Sequence, residues 1–163
     1  MPTEHQQLKP TEHQQTAPPA AASVRTQVDV RGPRFGAWIT TVVLAVALVT
    51  GWWPLLAAQA VVFAVGGFAG LRWAPYGLVF RYLVAPRLGP VTEREDAAPP
   101  RFAQAVGFAF GVIGVAGYAS GLTVLGVVAT ALALVAALLN AAVGFCLGCE
   151  MYLLLGRVRL SNN

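Results

Sequence analysis

The chain has 163 residues, 56% of them hydrophobic and only 11% charged, with a mean hydropathy of +0.62. That composition excludes an ordinary water-soluble domain and points to a chain that folds in lipid. The net charge of +4 comes almost wholly from arginine, Lys9 being the sole lysine. Because the arginines flank apolar blocks instead of forming a patch, they exclude nucleic acid as a partner and suit anchoring in a lipid bilayer.

Residues 2–7, Pro-Thr-Glu-His-Gln-Gln, recur at 10–15, and an Ala/Pro-rich run follows from Thr16 to Ala22. With almost nothing apolar to offset the entropy of ordering, residues 1–27 are expected to form a disordered tail. His5 and His13 stand on that tail without a pre-formed ligand set, so they read as solvated residues and no metal site is expected. The hydrophilic lead is too long for a secretory signal peptide, so the first apolar block is expected to remain as an anchor.

The membrane domain, 28–159, begins with a span from Phe35 to Trp53, about the 20 residues that a hydrocarbon layer of roughly 30 Å requires. Trp52 and Trp53 belong at headgroup level, and Pro54 suits the first turn of a returning span, Leu55 to Leu71. From Arg72 to Pro90, aromatic residues mix with arginines and prolines, which predicts a short interfacial helix. Val91 to Pro100, with Glu93, Arg94, Glu95 and Asp96, reads as a polar linker between two halves. A third span runs from Phe102 to Tyr118 and turns at Ala119-Ser120-Gly121. The last block, Leu122 to Leu155, is too long for one crossing, roughly 51 Å as a helix. It either tilts and projects or breaks between Asn140 and Gly148, ahead of a C-terminal tail at 160–163.

Pro33-Arg34-Phe35 reappears as Pro100-Arg101-Phe102, and Tyr82 to Arg87 is matched by Tyr152 to Arg157. The predicted fold is therefore all-α: a four-helix bundle of two parallel helical-hairpin repeats, 33–90 and 100–159, related by a pseudo-twofold along the membrane normal. Arginines cluster before span one, between spans two and three, and after span four, whereas the turns at 51–54 and 117–121 carry none. The positive-inside rule then puts both termini in the cytoplasm of a multi-pass protein of the inner (plasma) membrane. Glycines at 107, 111, 114, 117 and 121 suit close helix packing, and Gln59, Gln104 and Asn140 suit hydrogen bonds between helices.

One feature carries distinctive chemistry: Cys146-Leu147-Gly148-Cys149, followed by Glu150. Thiols three apart on a helix lie about 5–6 Å apart, so a modest distortion closes a disulfide, which Gly148 would ease. In a reducing cytoplasm that bond would be transient. If the chain breaks before Cys146, the positive end of the last helix favours thiolate there; Glu150 opposes it beside Cys149, or serves as a base. Cys146, Cys149, Glu150, Leu153 and Arg157 share one stripe of an ideal helix, with Cys146 the attacking and Cys149 the resolving thiol. Packing of two small residues is the competing reading, and two thiols are half of a zinc ligand set.

The run Leu139-Asn140-Ala141-Ala142-Val143-Gly144-Phe145-Cys146-Leu147-Gly148-Cys149-Glu150-Met151-Tyr152, with the Pro-Arg-Phe helix starts, resembles an uncharacterised family of actinobacterial membrane proteins, a domain of unknown function, over Val28 to Arg159. The resemblance implies a neighbourhood of thioredoxin-like and rhodanese-like proteins, and so thiol or sulfane-sulfur traffic at the membrane. The Gly-Phe-Cys run also looks like the membrane domain of some inner-membrane rhodaneses, which carries one cysteine followed by Pro-Leu-Tyr where this chain has Leu147-Gly148-Cys149. The expected function is a cytoplasm-facing dithiol exchanging electrons or sulfur with a thioredoxin-like or rhodanese-like partner, in a chain able to form a homo-oligomer. A small transporter or channel for a sulfur compound, or a structural subunit, are the alternatives.

Overall fold

The computed structural model describes residues 27–91 and 93–161. The expected N-terminal tail with His5 and His13 lies outside the described residues except for Gln27, as does the end of the C-terminal tail. The fold is all-α apart from a two-stranded ribbon. Strand β1 (Gln27–Asp29) leads into α1 (Arg31–Thr50), which stops because Gly51 takes a left-handed conformation, φ 64°, and donates its amide to Ala47 O at 2.9 Å. Helix α2 (Trp53–Ala64) opens with Pro54, which has no N–H to leave unpaired there, and widens into a π turn, Val65–Ala69.

Three long elements complete the bundle: α4 (Ala98–Ala119), α5 (Thr123–Val143) and, after a break, α6 (Leu147–Ser161). Helix α5 packs on α1 and α4, and α2 packs on α4 and α1. Leu44, Ala47, Leu56, Phe63 and Ala133 form the centre, and α6 rests on α4. Gly111, Gly114, Gly117, Gly126, Ala129 and Thr130 are buried, whereas Val42, Val46, Val124, Val128, Leu132 and Val135 are exposed. Water would drive that arrangement the other way. In lipid, where large aliphatic side chains lose nothing outside, small residues let the backbones approach. A Cβ at Gly107 would meet Phe63 at 3.0 Å, one at Gly111 would meet Ala60 at 2.9 Å, and one at Gly114 would meet Leu56 at 2.8 Å. Gly121 serves the turn instead. Helices α1, α4 and α5 are long and apolar enough to cross a bilayer, and Trp53–Ala69 is apolar but shorter.

The region between the helical pairs differs from the sequence expectation. The expected interfacial helix is a chain of short turns: a 3-10 turn Leu71–Trp73, helix α3 (Pro75–Val79), a π turn Phe80–Val84 and a 3-10 turn Ala85–Arg87. Gly70, Pro75 and Pro86 interrupt regular hydrogen bonding there. The segment also turns inward, since Phe80 is buried with its ring 5.7 Å from that of Phe35, and the Tyr76 hydroxyl donates to Gln59 Oε1 at 2.7 Å. The polar linker contains strand β2 (Arg94–Asp96), antiparallel to β1, with Gln27 opposite Asp96, Val28 opposite Glu95 and Asp29 opposite Arg94. Ala98, Pro99 and Pro100 already belong to α4.

Local structures recur at a fixed spacing. The same number of residues separates β1 from β2, Arg31 from Ala98 and Pro33 from Pro100. Asp29 Oδ1 accepts the Arg31 amide at 3.0 Å, and Asp96 Oδ1 accepts the Ala98 amide at 3.0 Å. The Phe35–Phe80 ring pair has its counterpart in Phe102–Tyr152, at 5.8 Å.

Candidate functional site

The over-long last block is broken. Gly144 takes φ 75° and donates its amide to Asn140 O at 3.1 Å, and Phe145 donates to Leu139 O at 3.3 Å. These bonds close α5, and only a residue without a Cβ takes that conformation without strain. The chain re-enters helix at Leu147, so Cys146 is the capping residue of α6. Its carbonyl accepts the Glu150 amide at 3.0 Å, and its Sγ accepts the Cys149 amide at 3.3 Å. The sulfur thus takes the position in which a serine or aspartate oxygen usually satisfies the free amides of a helix start.

Cys146 and Cys149 are disulfide-bonded, with Cα atoms 5.2 Å apart, a separation that suits the bond. Both are half-buried, while Glu150, Leu153 and Arg157 are exposed. The predicted stripe is broken at its first member, because Cys146 precedes the helix instead of lying on it. Gly148 also has a packing role. A Cβ there would lie 2.6 Å from both Cα and Cβ of Ala103, so this glycine lets the first turn of α6 sit directly on α4.

The pair opens onto a cavity of about 700 Å³ between the start of α4, the end of α5 and α1. Arg34, Glu95, Pro100 and Ala103 line its mouth with Cys146, Cys149 and Glu150, and it reaches Thr40 and Phe63 inside the bundle. Arg34 lies beside the break: a Cβ at Gly144 would be 3.8 Å from its guanidinium carbon.

Glu95 is half-buried in the same cavity. Alternation along β2 turns it away from the side taken by Arg94 and Asp96, and Asp96 lines a second cavity of about 790 Å³ together with Val28, Ala74, Gly77 and Arg101. Burial, reinforced by the neighbouring Glu93 charge, holds the Glu95 carboxyl above its ordinary range. Gln104 lines both cavities.

Of the three amides expected to bond between helices, Gln59 does so, donating to Thr40 Oγ1 at 3.4 Å and accepting from Tyr76. The side chains of Gln104 and Asn140 instead line the cavities and make no hydrogen bond seen among the described residues. Among those residues, no group of three or more His, Cys, Asp or Glu side chains is placed to hold a metal ion. Sequence reasoning missed Arg34, read only as a flanking charge, and Glu95, read as part of a linker. Extending the Pro-Arg-Phe repeat upstream would have set Glu95 against Val28, a charged residue against an apolar one.

No curated protein and no solved structure matches the chain. A family model matches residues 28–157, a range that runs from within β1 into α6 and holds both cysteines. The chain therefore belongs to the family described as Domain of unknown function (DUF4395).

Proposed function

We propose that the protein is a four-span bacterial inner-membrane protein, with both termini and the β ribbon on the cytoplasmic side, whose Cys146/Cys149 pair exchanges a disulfide or a sulfane sulfur with a soluble thioredoxin-like or rhodanese-like partner. The observation that carries this reading is the Cys149 amide donating to Cys146 Sγ at the start of α6, because it marks one sulfur of the pair as the better thiolate. A partner thiolate attacks Cys146 Sγ, the bond to Cys149 breaks, and the electron pair leaves on Cys149. In the reverse direction Cys149 resolves the mixed disulfide. Glu150, exposed at the cavity mouth, serves as an accessory base.

Two copies of a strand-and-hairpin unit build the scaffold in this reading. Its support is the fixed spacing from Asp29 to Asp96 and from Arg31 to Ala98, the matching amide bonds and the matching ring pairs. Arginine placement supports the orientation.

The test is trapping in native membranes. Cys149→Ser should accumulate a mixed disulfide or persulfide on Cys146, whereas Cys146→Ser should not. Serine at both positions should keep the fold, since serine also caps a helix, while exchange disappears. A transporter for a sulfur compound is the second reading, favoured by the depth of the cavity, which reaches Thr40 and Phe63. Uptake that is lost without any adduct on Cys146 would select it.

A further inference from the structure

The two cavities are built from corresponding residues. Pro33 and Gly36 of α1 line the first, with Arg101 entering from α4; Pro100 and Ala103 of α4 line the second, with Arg34 entering from α1. The ring pairs that align Phe80 with Tyr152 also align Ala74 with Cys146 and Gly77 with Cys149, and the strand register aligns Val28 with Glu95. Ala74, Gly77 and Val28 all line the first cavity, as Cys146, Cys149 and Glu95 line the second. The cavity with the disulfide therefore carries a carboxyl group where its counterpart has only an aliphatic side chain.

We infer that Glu95 is the proton donor and acceptor for Cys149 across this cavity, an assignment that rests on the dithiol-exchange reading above. When an incoming thiolate attacks Cys146 Sγ, the S–S bond breaks and its electron pair moves to Cys149 Sγ. The Glu95 carboxylic acid then gives its proton to that sulfur and becomes a carboxylate. In the resolving direction the carboxylate takes the proton from the Cys149 thiol, whose sulfur attacks Cys146 Sγ and expels the partner as a thiolate. Atoms and charge balance in both directions, with a thiol as the only co-reactant.

The charged surroundings suit the role. Burial first, and then the Glu93 charge on the same segment, raise the Glu95 carboxyl, and Glu150 faces the cavity from α6. From α1 comes Arg34, beside Gly144. The start of α4 brings Arg101, whose guanidinium donates to the Gly67 and Phe68 carbonyls, and Arg94 points to the other side of the ribbon with the Asp29–Arg31 pair. No arginine pairs with Glu95 among the described residues. A carboxyl whose pKa is raised in the fold loses stability as pH climbs from its ordinary 4.5 through the raised value. Glutamine at 95 is therefore neutral or stabilising at pH 7, which separates a proton-transfer role from a structural one.

The experiment measures the rate at which dithiothreitol opens the disulfide in the purified full chain in detergent, from pH 5 to pH 9 (about 5 to 9, the range over which a shifted carboxyl and a thiol titrate). Wild type, Glu95→Gln and Glu95→Asp are compared, with thermal stability recorded for each. Expected is a loss of about tenfold in Glu95→Gln near neutral pH, below the 10²–10⁴-fold typical of a positioned acid because water reaches the half-buried site. The limb of the rate profile due to the Glu95 carboxyl should vanish in Glu95→Gln and return in part with aspartate. Superimposable profiles for wild type and Glu95→Gln would overturn the assignment while leaving dithiol exchange standing. A disulfide that neither opens nor re-forms in the wild type would overturn both.

Discussion

Gly148 of α6 stands so close to Ala103 of α4 that a methyl group at 148 would lie 2.6 Å from both Cα and Cβ of the alanine. The two cysteines are carried by this same turn, so their position depends on a contact with no room for one more carbon. Gly148→Ala should cost about 1–3 kcal/mol through overpacking and slow disulfide formation, and Ala103→Gly in the same chain should recover little of either, because the Cα of residue 103 still stands 2.6 Å away. Melting in detergent and the oxidised fraction after mild air exposure are the measurements. A Gly148→Ala variant that melts and oxidises like the wild type would show that the contact does not set the position of the pair.

Tyr76 tethers the irregular segment to the bundle by donating to Gln59 Oε1 at 2.7 Å, and Gln59 is only 1% exposed. Tyr76→Phe leaves a buried acceptor unpaired, at a cost of about 1–3 kcal/mol. Adding Gln59→Leu removes the orphaned group and should restore part of the loss. Thermal unfolding of the two variants checks this, and equal melting of Tyr76→Phe and wild type would refute it.

Asp29 holds the start of α1 by accepting from the Arg31 amide and guanidinium. These hydrogen bonds, above all that from the Arg31 side chain, keep its carboxyl below the ordinary 3.8. A depressed folded value means that the contribution is present above pH 3.8 and is lost as pH falls through the lower value. Hydrogen exchange at residues 27–33 should therefore quicken only in acid. In Asp29→Asn it should already be faster at neutral pH and lack the acid step.

With both native cysteines changed to serine, a single cysteine at Glu93 should react with an impermeant maleimide only when the cytoplasmic face is open. One placed at Ser120 should react from the opposite face. Labelling of both from one side would mean that α4 does not cross, and the hairpin reading would fall with it.

The helices were legible because charge is absent from long stretches: nothing charged lies between Arg101 and Glu150, and the run is divided where Gly121 and Gly144 take positive φ. The break was one of two readings, and the left-handed Gly144 decides it. The ribbon was not legible, since strands of three residues, Gln-Val-Asp and Arg-Glu-Asp, are too short for a pattern to stand out and find their partners far along the chain. Missing the ribbon hid Glu95, because only the register against Val28 turns that side chain inward. Arg34 was hidden for a related reason: its position before an apolar block explains a flanking charge, and its nearness to Gly144 exists only in three dimensions.

The ribbon is centred on Val28 and Glu95, and its register reads the same when the two strands are exchanged. Such pairing is isologous, the kind of contact a C2 dimer makes with itself. On the two-repeat reading, a single ancestral unit of lead strand and hairpin already had the edge needed to bind its own copy. Duplication and fusion would then release one half from symmetry. On that reading Cys146, Cys149 and Glu95 stand in one half, and Ala74, Gly77 and Val28 hold the corresponding places in the other.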